Sequence, residues 1–168
     1  MQPSASRHVR LQDFASGLAR PLRNADPHVI DALVALALTV IAVAIVVGRP
    51  ADDGDFRSDD ALGMGLVLLQ TLPLALRRFA PLPVLIVISA ALVLHSALGY
   101  EVVQAGTISS LIAVYGAAAL TDTRGSIIAA AITGAAIAGF YATNRGDWTI
   151  VDAATTSATW GIAWVLGT

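Results

Sequence analysis

The chain has 168 residues, of which 56% are hydrophobic and only 13% charged, with a mean hydropathy of +0.72. Soluble domains average about 45–50% apolar and about 25% charged residues, and their helices keep a polar face; this composition excludes an ordinary soluble domain. Cysteine is absent, which excludes disulfides, thiolate metal sites and a cysteine nucleophile, and for a net charge of −2 the placement of charge matters more than the sum.

Residues 1–25 form a basic tail, read as cytoplasmic. Leu11, Phe14, Ala15 and Leu18 recur at helical spacing beside Arg7, Arg10, Arg20 and Arg23. That pattern suits either a short interfacial helix on anionic headgroups or a disordered tail. No A-x-A cleavage pattern closes the first apolar run, so the tail is not a secretory signal. Residues 26–168 read as a six-span transmembrane domain.

Asp26-Pro27 is a helix start, with Asp26 as N-cap and Pro27 at the first helical position. The first span covers about His28–Val47 and stops at Gly48-Arg49-Pro50. Asp31, one turn inside, is read as an interfacial residue favoured by the positive helix N-terminus rather than a proton carrier. Ala51–Asp60 holds Asp52, Asp53, Asp55, Asp59 and Asp60 against Arg57 and reads as an acidic, solvated external loop. Its spacing departs from the EF-hand pattern.

The second span covers about Ala61–Leu76. Gly63 and Gly65 permit close helix approach, Gln70 and Thr71 are expected to bond a neighbouring helix, and Pro73 should bend the last turn. Arg77 and Arg78 then form a basic hinge, and Pro81-Leu82-Pro83 opens a third span to Leu98. His95, Tyr100 and Glu101 cluster at its far end. A histidine there titrates near neutral pH and Glu101 is a potential partner; a histidine bonded to backbone or water is the blander alternative. The fourth span covers about Thr107–Leu120, with Val102 as an earlier start, and Thr121–Gly125 is a turn. In the fifth, about Ser126–Ala142, Ala131, Ala135 and Gly139 form a small-residue stripe for a helix contact. Asp147 is a possible cap and Trp148 an interfacial residue for the sixth, about Thr149–Thr168.

All ten basic residues are arginine. With the N-terminus inside, seven lie on inner segments and three (Arg49, Arg57, Arg145) on outer loops, as the positive-inside rule requires. The fold class is therefore an all-α polytopic membrane helix bundle with about six spans and both termini cytoplasmic, in the cell membrane. Arg77 and Arg78 serve as topological anchors, with an anionic lipid headgroup as a second role. No Walker loop, G-x-S-x-G, H-E-x-x-H or intramembrane carboxylate pair is present, and the three histidines are too scattered for a metal site. No catalytic, cofactor-binding or metal residue is assigned.

Pro73 to Arg78, Pro81 to Val84 and Leu98 to Tyr100 carry a P-L-A-L-R-R-x-x-P-L-P-V pattern followed by a span ending in L-G-Y. This resembles the N-terminal membrane region of actinobacterial-type two-component sensor histidine kinases of the nitrate-sensor and desaturase-sensor group. Leu111–Tyr115 and the Arg124 turn also fit. The resemblance implies a sensor and anchor whose sixth helix feeds a cytoplasmic kinase core beyond Thr168. ATP and Mg belong to that core, not to this chain. The resemblance further implies a homodimer, a response-regulator partner, a lipid-bilayer environment and no direct nucleic-acid binding. His95, Tyr100 and Glu101 become sensing candidates, with Arg77, Arg78, Pro81 and Pro83 as the hinge. A small transporter or channel subunit, or a membrane scaffold, is the alternative.

Overall fold

A computed structural model of the protein describes residues 26–49, 56–144 and 148–168. The basic tail, the Asp52–Asp55 part of the acidic loop, and Asp147 lie outside the described residues. Among the described residues there are six α-helices and no strand: α1 Pro27–Gly48, α2 Ala61–Thr71, α3 Pro81–Ala97, α4 Gln104–Leu120, α5 Thr123–Thr143 and α6 Ile150–Gly167. Two of them, α1 and α5, are long and apolar enough to cross a membrane, while α2 with its extension, α3 and α4 are shorter apolar helices. The all-helical class is thus present among the described residues, with two helices of membrane-crossing length and apolarity.

Local chemistry sets the boundaries. Asp26 caps α1, its carboxylate accepting from the His28 N–H at 2.9 Å, with Pro27 in the first turn. Pro73 cannot donate into an α-helical ladder, and the chain tightens into a 3₁₀ stretch over Leu72–Leu76. Pro81 restarts the chain as α3. The fourth helix, α4, begins at Gln104, between the two starts the pattern allows, and α5 begins earlier than expected, at Thr123, because Asp122 caps it through Gly125 N–H. Thr149 caps α6 in a reciprocal box with Asp152.

The central element is α4. It packs against α1, α2, α3, α5 and α6, because Ala105, Gly106, Ser109, Ser110, Ala113, Gly116, Ala117 and Ala118 give it a small-residue surface buried on nearly every side. The core around it joins Leu74, Leu85, Ile88, Leu92, Val114 and Trp160. Its serines are satisfied within the helix, Ser109 by the Ala105 carbonyl and Ser110 by that of Gly106.

Several expected contacts fall elsewhere. On α5 the buried positions are Gly125, Ser126, Ala129, Thr133 and Ala136; Ala131 and Ala135 are exposed, and of the expected stripe Gly139 alone packs closely, against Val93. Gly63 is a close-approach site but nothing lies near Gly65. Thr71 does bond a neighbouring helix, meeting Thr39 of α1 at 2.9 Å. Gln70 is fully buried but its amide makes no hydrogen bond among the described residues; it lies against α4 at Gly106, where a side chain would strike its Oε1.

Candidate functional site

Polar groups concentrate at the two ends of α3. At the hinge end, Arg77 Nη2 donates to Asp31 Oδ1 and Arg78 Nε to Asp31 Oδ2, each at 2.6 Å. The Asp31 side chain is fully buried, while Arg77 and Arg78 retain 18% and 35% exposure. His28 stacks on Phe79 with ring centroids 4.6 Å apart, so the hinge is docked onto the first two turns of α1. This corrects the reading of Asp31 as an interfacial residue held by its own helix terminus. A carboxylate without water needs a partner, and both arginines of the hinge supply it. Pro81 and Pro83 act through the backbone, by starting α3 just beyond the clamp.

The second cluster lies at the other end of α3. Gly99 adopts φ 81°, a left-handed conformation open to glycine; its N–H donates to the Ser96 carbonyl and the Tyr100 N–H to that of His95. The chain therefore turns back and drives the Tyr100 ring inward, to 1% exposure. The Tyr100 hydroxyl donates to Asp60 Oδ1 at 2.6 Å. Asp60 also caps α2, accepting from Leu62 and Gly63 N–H at 2.9 and 3.0 Å, and pairs with Arg57. The Arg57 guanidinium sits 4.9 Å from the Tyr100 ring centroid, and the Arg57 backbone N–H donates to the Gly99 carbonyl at 2.8 Å. Room for the ring comes from Gly63: a Cβ there would meet Tyr100 Cε1 at 2.9 Å and Asp59 Oδ1 at 3.0 Å.

These contacts set the ionisation of the Asp60–Tyr100 pair. The Tyr100 hydroxyl, then the Gly63 N–H and Arg57, hold the Asp60 carboxyl well below the usual carboxylate range. Burial, reinforced by the bond to Asp60, pushes the Tyr100 phenol up, so it remains a donor.

Arg49, at the end of α1, completes the cluster. It pairs with Asp59 at 3.6 Å and with the Glu101 carboxylate at 3.3 Å, and donates to the Glu101 carbonyl at 3.1 Å. Three of the acidic-loop and post-α3 carboxylates are thus engaged by arginine rather than simply solvated. Glu101 pairs with Arg49 and not with His95. His95 is fully buried, stacked on Tyr100 at 5.1 Å, and neither ring nitrogen has a hydrogen-bond partner among the described residues; it is bonded neither to backbone nor to Glu101.

Of the predicted residues, the fold therefore brings His95 and Tyr100 together, and places Glu101 beside them through Arg49. Sequence reasoning missed Asp31, Arg49, Arg57, Asp60 and Gly63 as members of these clusters. Asp60 carried a readable signal, an N-cap residue directly before an apolar helix. The arginine partnerships depend on which helix ends meet and had none. No group of three or more metal-ligating side chains comes together among the described residues.

A third concavity runs between α5 and α6. It is a groove of about 490 Å³ lined by Gly134, Ala138, Tyr141, Ser157, Trp160 and Trp164 among others.

Residues 18–168 match the family described as a domain of unknown function, DUF7134. No curated protein and no solved structure matches the chain.

Proposed function

The chain belongs to the DUF7134 family of domains of unknown function, and from that premise we propose that it is the membrane-embedded sensory domain of a two-component histidine kinase. In this reading all six helices cross the membrane, both ends are cytoplasmic, and Arg77 and Arg78 lie on the cytoplasmic side. The sixth helix passes the signal to a cytoplasmic kinase core, which acts as a homodimer on a response regulator and supplies the ATP and Mg chemistry itself.

The observation that carries the proposal is the conjunction of the R-R-x-x-P-L-P-V hinge with its position. The hinge is clamped on Asp31 at one end of α3, and the His95, Tyr100 and Glu101 cluster lies at the other. Input and anchor thus occupy opposite ends of the same helices. The described outer connection Gly99–Val103 is short, which favours a stimulus received at the membrane face or within the bilayer. The α5–α6 groove opens beside the output helix and offers such a stimulus access. Signalling then consists of repacking that biases a two-state cytoplasmic element.

The test is a fusion of residues 1–168 to an intact histidine kinase core in membranes. Autophosphorylation should respond to envelope or membrane perturbation, and should keep responding when the Ala51–Asp55 segment becomes a neutral linker. A fusion whose output is constant across such perturbations would refute the sensory reading.

A further inference from the structure

His95 is the one buried ionisable side chain of the Tyr100 end that no hydrogen bond engages. Its ring is fully buried, and neither Nδ1 nor Nε2 has a partner among the described residues. Burying polar nitrogens without partners is costly, and such a group calls for an explanation. Two further buried atoms nearby share the condition: Asp59 Oδ1, and Ser96 Oγ on the adjacent residue. Gly63 ties the geometry together. Asp59 Oδ1 and the Tyr100 ring edge both pack on its backbone, and His95 stacks on the face of that same ring.

The charged groups around the ring are few. Asp59 and Arg49 are the charges that act on it. Asp60 and Arg57 are engaged with each other and with Tyr100, and Glu101 with Arg49. Among the described residues α4 and α5 add no charge that acts on the ring. The Arg49–Asp59 contact is long, 3.6 Å, and uses Asp59 Oδ2, leaving Oδ1 idle. Arg49 holds Glu101 by a shorter ion pair and a backbone bond, so it keeps partners if Asp59 leaves.

We propose that His95 is a proton-binding site whose charged form recruits Asp59 and releases it from Arg49. A proton from the aqueous face binds the free ring nitrogen. The new imidazolium N–H donates to the Asp59 carboxylate, and the Arg49–Asp59 ion pair is given up; no covalent bond changes. The start of α2, already bonded to Tyr100 through Asp60, then gains a second tie to the end of α3 in place of the Asp59 tie to the end of α1. The ligand is the proton, and the stimulus is acidity on the face that carries Tyr100. The purpose assigned here rests on the sensory reading, whereas proton binding is a property of this chain alone.

The experiment uses the full chain in lipid nanodiscs with ¹⁵N-labelled histidine, His95 being identified by comparison with His8→Gln and His28→Gln. Ring-nitrogen shifts distinguish neutral imidazole from imidazolium between about pH 7.5 and about pH 5. The imidazolium of His95 should appear with helicity retained. Asp59→Asn should raise the proton concentration required by about tenfold or more, and Arg49→Gln should lower it by a comparable factor, as expected for removal of an opposite and of a like charge. A ring that stays neutral over this range, helicity lost before the ring charges, or variants that shift together or not at all would overturn the proposal. The kinase fusion separates the two readings. If His95 titrates as expected but autophosphorylation is independent of pH, the proton site stands and acidity as the stimulus fails, while the sensory reading is decided separately by the response to membrane perturbation. If both hold, His95→Gln should remove the pH step in output.

Discussion

Replacing Asp31 with alanine should be among the most damaging single changes at the hinge. The carboxylate has no exposure and spends both oxygens on arginine, one on Arg77 and one on Arg78. Removing one member of a buried ion pair typically costs roughly 3–5 kcal/mol, because the remaining charge is left without compensation. Here the stranded charges are the arginines, and they are not fully enclosed: Arg77 is 18% and Arg78 35% exposed. Long basic side chains can turn their heads to the interface, so the expected loss is about 3 kcal/mol, at the lower end of the buried-pair range. Asp31→Asn keeps the shape but not the charge and should lose about half as much. The measurement is reversible unfolding in mixed detergent micelles, read by helicity, with a double-mutant cycle pairing Asp31→Asn with Arg77→Gln. A coupling of about 1 kcal/mol or more is expected. Additive single effects, or Asp31→Ala within about 0.5 kcal/mol of wild type, would refute the argument that the hinge is clamped on α1.

Three further outcomes are expected. Because the Asp60 carboxyl is held below its ordinary range in the folded protein, the unfolded chain binds more protons as acid is added; the stability this provides is complete above about pH 4 and is lost as pH falls through the lower folded value. Tyr100→Phe removes the largest cause of that depression and should flatten the acid limb of a stability–pH curve. Gly63→Val should cost about 2 kcal/mol by overpacking, since a Cβ there meets Tyr100 and Asp59, and should expose Tyr100 to solvent quenchers in fluorescence. Gly167→Leu should loosen the end of α6, where a Cβ would come within 2.6 Å of the Tyr115 carbonyl oxygen; in a kinase fusion the basal output should shift while micelle unfolding changes by about 1–3 kcal/mol.

The one-dimensional features of the fold were legible because their causes are local. Asp26-Pro27, Pro73 and Pro81 act within a turn of where they stand, and each marks a real boundary. The stripe on α5 was misplaced because alanine and glycine occur on every side of that helix, so its periodicity cannot select a face. Charge partners were misread for a different reason. Asp31 and Arg77 are 46 residues apart, and their pairing depends on α1 lying against the hinge, which no local pattern encodes. His95 and Tyr100 were recognised as neighbours because they share one turn. Glu101 was read only as a potential partner of His95, because its actual partner, Arg49, arrives from another helix.

The way α4 is held has a mechanical consequence. Among the described residues, hydrogen bonds and ion pairs join α1 to α2 through Thr39 and Thr71, and α1 to the hinge through Asp31. Others join α5 to α6, through Tyr141 to the Asp152 carbonyl and Trp164 to the Ser126 carbonyl. None of the bonds described for α4 crosses to another helix. The bundle therefore consists of two stitched rafts resting on a lubricated spindle. A displacement that keeps α5 and α6 together and slides them along α4 breaks only dispersion contacts, which re-form with the next small side chain. Separating α6 from α5 sacrifices directional bonds at both of its ends. Among the described residues, a shear of the α5–α6 pair is thus a displacement that breaks no hydrogen bond between α4 and its neighbours.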